Sequence, residues 1–73
     1  MKLSERLIYL RKSRKLTQKQ VYTAIKMSPL GYQRYEYDER EPAFQQLIAL
    51  ADFFDVSLDY LVGRTDNPNS HKS

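Results

Sequence analysis

Gln33 and Arg34 stand side by side in the segment Pro29-Leu30-Gly31-Tyr32-Gln33-Arg34-Tyr35-Glu36. A guanidinium carries a rigid fork of donors that suits a guanine edge or a phosphate, and a primary amide carries both a donor and an acceptor. Tyr32 and Tyr35, three apart, predict the inward face of a helix, which leaves Pro29, Leu30, Gln33 and Arg34 on its outer surface. Of these four only Gln33 and Arg34 can pair with base edges, while Leu30 suits an apolar contact such as a thymine methyl group. For Arg34 a base edge and a phosphate stay open as alternatives.

The elements that hold this face are marked by their caps. Ser28 before Pro29 predicts a helix start, because a residue ahead of proline is pushed out of the helical region and proline fits the first helical position. The preceding helix starts at Thr17, with Gln20 three residues on completing a capping box and Leu16 and Val21 forming a hydrophobic staple. Val21 and Ile25 give it one buried side. Two short amphipathic helices joined by a tight turn form a helix-turn-helix, whose second helix has the dimensions to enter a major groove.

Further elements follow from periodicity. A first helix is predicted over about Ser4 to Arg14, with Leu7 and Leu10 facing the core and Leu3 and Ile8 as a staple. Tyr37 to Glu41 reads as a polar loop, and Pro42 fits the opening of a fourth helix carrying Phe44, Leu47, Ala51 and Phe54 at helical spacing, ended by Asp55. Ser57 caps a short fifth helix, with Val56 and Leu61 as its staple and Gly63 as its stop. Residues 1–63 are therefore expected to form one all-α domain. Residues 64–73 have little to bury and are expected to be a disordered polar tail.

Several stretches in this order resemble the XRE-like, Cro/phage-repressor family of small DNA-binding domains. They are R-L-x-x-L-R from Arg6, L-T-Q from Leu16, Q-R-Y-E from Gln33, R-E-P from Arg40 and F-D-V-S-L-D-Y-L-V-G-R-T-D from Phe54. The resemblance implies a compact five-helix, lambda-repressor-like fold. Phosphate contacts are expected from Thr17, Gln18, Lys19, Lys26, Ser28 and Arg40; for Gln18, in the first turn of its helix, a plain capping role is the alternative and the resemblance favours the phosphate. The resemblance also implies a partly buried ion pair between Arg11 and Glu36. Two positions depart from the family's habit: Tyr22 replaces a usual alanine where the two motif helices cross, and Lys26 replaces a usual glycine in a left-handed turn. A left-handed lysine costs about 1 to 2 kcal/mol.

Charge divides along the chain. Residues 1–35 carry nine Lys and Arg against one acid, a balance of +8, and residues 36–73 carry three against eight acids, a balance of −5. Positive potential on the half that holds the motif steers it toward phosphates and releases counterions on binding. Any single lysine here can equally be a solvated helix face. With 73 residues and no cysteine, one core must be stabilised by helix packing without disulfide or thiolate-metal links. No apolar run approaches a bilayer span, and the amphipathic N-terminus lacks a signal-peptide core, so the chain reads as soluble and cytoplasmic with no membrane partner.

Other chemistry finds little support. The single histidine, His71, has no neighbouring ligand pattern, so neither a metal site nor a catalytic base is expected, and no cofactor is implied. The expected function is that of a transcriptional regulator binding double-stranded DNA, most simply a repressor, and not an enzyme. One recognition helix covers too few base pairs to stand out in a genome, which favours a homodimer on a two-fold-related operator, with Phe53, Tyr60 and Val62 as interface candidates. The alternative is an antitoxin-like or regulator-binding module in which the same scaffold holds a protein partner.

Overall fold

The computed structural model describes residues 1–69 of the 73-residue chain. Its helices are α1 (Leu3–Ser13), α2 (Gln18–Ala24), α3 (Pro29–Glu36), α4 (Phe44–Phe54) and α5 (Leu58–Leu61). His71 and the end of the expected tail lie outside the described residues.

Local chemistry accounts for most of the helix starts. Thr17 Oγ1 accepts from the Gln20 N–H at 3.1 Å while the Thr17 N–H donates to Gln20 Oε1 at 2.8 Å, closing the capping box. Ser28 Oγ accepts from the Gly31 N–H at 3.1 Å and Ser57 Oγ from the Tyr60 N–H at 3.0 Å. The Lys2 N–H donates to Glu5 Oε1 at 2.9 Å, so α1 begins one residue earlier than expected and ends at Ser13, with Arg14 as its cap.

Every helix stops in the same way. A residue in the left-handed region follows each one, at Lys15 (φ 57), Lys26 (φ 60), Asp38 (φ 60), Asp55 (φ 57) and Gly63 (φ 86). The next N–H then reaches back five residues: Leu16 to Arg11, Met27 to Tyr22, Glu39 to Arg34, Val56 to Ala51 and Arg64 to Asp59, all at 2.8 to 3.0 Å. This closure satisfies a carbonyl left over at the helix end, and glycine adopts it at least cost. Only the last stop uses glycine. There a side chain would also collide with the carbonyl oxygen of Met1.

The core consists of Leu7, Leu10, Val21, Tyr32, Tyr35, Leu50, Ala51, Phe54, Val56, Tyr60 and Leu61. α1 packs against α3 and α5, α2 against α3, and α4 against α5. The left-handed Lys26 and the back-bonded Met27 turn the chain between α2 and α3, and Tyr22 packs half-buried beside the core at that corner.

Three expectations require correction. Pro42 does not open α4; it is buried in the preceding loop, and Ala43 takes the cap position. Phe44 does not face the core but is 67% exposed. It lies in the first turn, ahead of the stretch where Leu47, Leu50, Ala51 and Phe54 meet the other helices. Residues 64–69 also make defined contacts: Pro68 O accepts from the Ser57 N–H at 3.0 Å, and Thr65 O and Asp66 Oδ1 each accept from Arg6 at 3.4 Å. A buried guanidinium that needs acceptors gives this stretch a role that its own composition does not reveal.

Candidate nucleic-acid interface

The outer face of α3 carries Pro29, Leu30 and Arg34, all exposed, with Gln33 half-buried between them. Thr17, Lys19, Lys26 and Ser28 are exposed on the flanking turns of α2 and α3, and Arg40 is exposed in the loop beyond α3. Arg34 and Arg40 line one groove together with Met27, Gly31 and Tyr35.

Beneath this surface lies a charged network. Arg11 Nε donates to Glu36 Oε2 at 2.7 Å and Nη2 to Oε1 at 3.0 Å, a two-pronged pairing, while Nη1 donates to Leu16 O at 3.1 Å. The Glu36 side chain is only 1% exposed. Burial alone would push its carboxyl up; the Arg11 guanidinium, followed by Tyr32 and Gln18, reverses this and holds it below the usual carboxylate range. The same pairing raises Arg11 further, and burial, then the Glu36 charge, pushes the Tyr32 phenol up. The network ties the last turn of α1 to the last residue of α3 and so fixes how α3 is presented.

Gln18 belongs to this network. Its Nε2 donates to Glu36 Oε1 at 3.1 Å, which turns one amide proton inward and leaves the other for a ligand at the start of α2. The link joins residues 18 positions apart, and no local pattern in the sequence announces it.

The dimer-interface candidates fare unevenly. Tyr60 is not available: it is a buried core residue whose ring carries the Arg6 guanidinium at 3.8 Å from its centroid. Phe53 is half-buried, edge-on to Phe54 at 5.0 Å between centroids. Val62 is exposed, and so are Phe44, Ile48 and Leu58, which sequence spacing did not single out as surface residues. Leu47 and Val62 line one groove of about 420 Å³ with Leu3, Tyr35 and Pro42. Among the described residues no group of His, Cys, Asp and Glu is placed to hold a metal ion, and no helix is long and apolar enough to cross a membrane.

Comparison with known proteins agrees with this geometry. Residues 7–61 match the family model described as helix-turn-helix. The HTH-type transcriptional regulator YobD of Bacillus subtilis is 40% identical over 65 residues, covering 89% of this chain and 58% of its own length. The cryptic phage CTXphi transcriptional repressor RstR of Vibrio cholerae is 39% identical over 64 residues, covering 88% and 57% respectively. The chain thus spans somewhat more than half the length of the curated relatives it matches. Among solved structures, the DNA-binding domain of the P22 C2 repressor superposes with a TM-score of 0.78 at 30% identity, covering 84% of this chain and 80% of that one. A transcriptional regulator from Listeria innocua superposes with a TM-score of 0.81 at 29% identity, covering 90% and 62%.

Proposed function

The chain belongs to the helix-turn-helix family, whose fold is that of DNA-binding transcriptional regulators and not of enzymes, and on that basis we propose that it is a sequence-specific double-stranded-DNA-binding repressor. The observation that carries the reading is the outer face of α3: a free guanidinium and an amide flanked by exposed cations, on a helix whose inner face is locked by two buried tyrosines and the Arg11–Glu36 pair. In this reading α3 lies in the major groove. Arg34 and Gln33 read base edges, while Thr17, Gln18, Lys19, Lys26, Ser28 and Arg40 hold phosphates. Occupying a promoter-proximal site would block transcription, and the protein would act in the cytoplasm, where such DNA is found.

The repressor works as a homodimer on a two-fold-related operator, because two modest half-sites together supply the discrimination that one lacks. With Tyr60 in the core, the candidates for the contact are Val62, the exposed Phe44, Ile48 and Leu58, and the half-buried Phe53. Selection from a pool of random duplexes tests both parts of the proposal. A palindromic consensus with half-site centres about 34 to 36 Å apart, bound by two chains, is the expected result. A pool that never converges would overturn the DNA reading, and one chain per selected site would overturn the dimer.

A further inference from the structure

Resting on the reading of α3 as a recognition helix, we propose that Leu30 reads the C5-methyl group of a thymine, so that each half-site contains one thymine recognised by its methyl group.

Leu30 is unusual among the leucines of this chain. Leu7, Leu10, Leu50 and Leu61 are buried, Leu3, Leu16 and Leu47 pack partly buried on the core, Leu58 is 36% exposed, and Leu30, the most exposed of them, stands 56% exposed at the second position of α3. Its neighbours on the helix edge are Pro29, which has no N–H and no polar side chain, and Gly31, which has no side chain at all. Ser28 Oγ is already engaged with the Gly31 N–H at 3.1 Å. A Cβ at position 31 would lie 2.9 Å from that oxygen and 3.2 Å from Met27 Cε, so glycine there keeps the cap undisturbed and leaves one flank of Leu30 bare. The leading edge of the helix is therefore an exposed isobutyl group between residues whose side chains make no hydrogen bonds.

Among the groups on the base edges of the major groove, the thymine methyl is the apolar one, and cytosine carries only hydrogen at the equivalent carbon. An isobutyl group at the tip of a recognition helix thus distinguishes T from C by contact alone. Burying it also removes from water a side chain that the fold leaves outside. Gln33 and Arg34, one turn further on, supply the directional hydrogen bonds that Leu30 cannot.

The test uses the 73-residue protein and a duplex selected by it from random sequence. Each thymine is replaced in turn by uracil, which keeps base pairing and removes one methyl group, and affinity is titrated at a single salt concentration. At one thymine per half-site the replacement is expected to weaken binding about fourfold, the effect of one buried methyl group, and the other thymines to matter little. The Leu30→Ala protein is expected to bind the thymine and uracil duplexes equally, while unfolding at the wild-type temperature because the residue lies outside the core. Equal affinity of the wild type for every uracil duplex would overturn the proposal. So would a thymine preference that survives in Leu30→Ala, which would assign the methyl contact to another residue. Failure of the random pool to yield any preferred sequence would instead remove the DNA reading on which the proposal rests.

Discussion

Two arginines, Arg6 buried and Arg11 partly buried, sit five residues apart on α1 and are held in opposite ways. Arg11 forms a two-pronged pair with a carboxylate that is itself 1% exposed, at 2.7 and 3.0 Å, and adds a backbone carbonyl at 3.1 Å. Arg6 is 4% exposed, yet its two hydrogen bonds are 3.4 Å long, its Nε has no acceptor, and its acidic partner Asp66 is fully exposed. What covers Arg6 is the Tyr60 ring, 3.8 Å from the guanidinium carbon. One arginine is fixed by charge, the other by stacking and packing. The charged joint lies under the candidate DNA surface, where the orientation of α3 must be reproducible. The stacked one joins α1 to α5, where packing suffices.

The largest expected effect follows from removing the charge at each site while keeping the bulk. Arg11→Met leaves the Glu36 carboxylate buried without its partner and is expected to cost about 3 kcal/mol of folding stability. Arg6→Met removes an imperfectly satisfied donor and retains most of the packing, so its cost is expected to stay below about 1 kcal/mol. Denaturant unfolding of both proteins checks the contrast, and equal losses would break it.

An intermediate effect separates the scaffold from the reading surface. Arg34→Ala is expected to weaken binding to the preferred duplex by about 1 to 3 kcal/mol and to relax selectivity at one base pair, with no loss of stability. Uniform weakening on all sequences would make Arg34 a phosphate contact instead. Acid titration sharpens the same comparison. The Glu36 carboxyl is held below its ordinary value of about 4.5, so its contribution is complete above that pH and is lost as the pH falls through the lower, folded value. Wild-type stability should therefore decline on acidification below about pH 4.5 by a component that Glu36→Gln lacks.

Smaller effects come from the helix stops and the surface. Lys26→Gly is expected to raise stability by about 1 kcal/mol, because the left-handed conformation at φ 60 strains any residue with a Cβ, although the lost charge should weaken DNA binding. Differential scanning calorimetry would show this as a rise in melting temperature. Lys2→Ala breaks only an exposed pair with Asp38 at 3.3 Å and is expected to change stability by less than about 0.5 kcal/mol.

The sequence revealed what is decided within one turn of chain. The Thr17–Gln20 box, the Ser28–Pro29 start and the Ser57 cap each depend on residues three apart or closer, and their chemistry is written in residue type. The inward pair Tyr32 and Tyr35 follows from helical spacing. Spacing states which residues share a face, however, and not where that face begins to meet a partner. Phe44 shares the stripe of Leu47 and Phe54 but lies ahead of the contact, and a helix of four residues is too short to define the side that buries Tyr60. Contacts between distant segments left no local mark. The bond from Gln18 to Glu36 and the seat of Arg6 among Tyr60, Thr65 and Asp66 exist only once the helices are packed. The left-handed stops at Lys15 and Asp38 were equally hidden, because glycine, the usual sign of such a stop, is absent from both.

The account stands most directly on one titration, in which affinity is measured as a function of salt concentration for a duplex selected from random sequence and for a shuffled duplex of the same composition. A repressor that reads bases through α3 and holds phosphates with the surrounding cations should prefer the selected duplex by at least about a thousandfold. Its affinity for both duplexes should fall steeply and linearly on logarithmic axes as salt rises. Equal affinity for the two duplexes, or affinity that does not respond to salt, would contradict it.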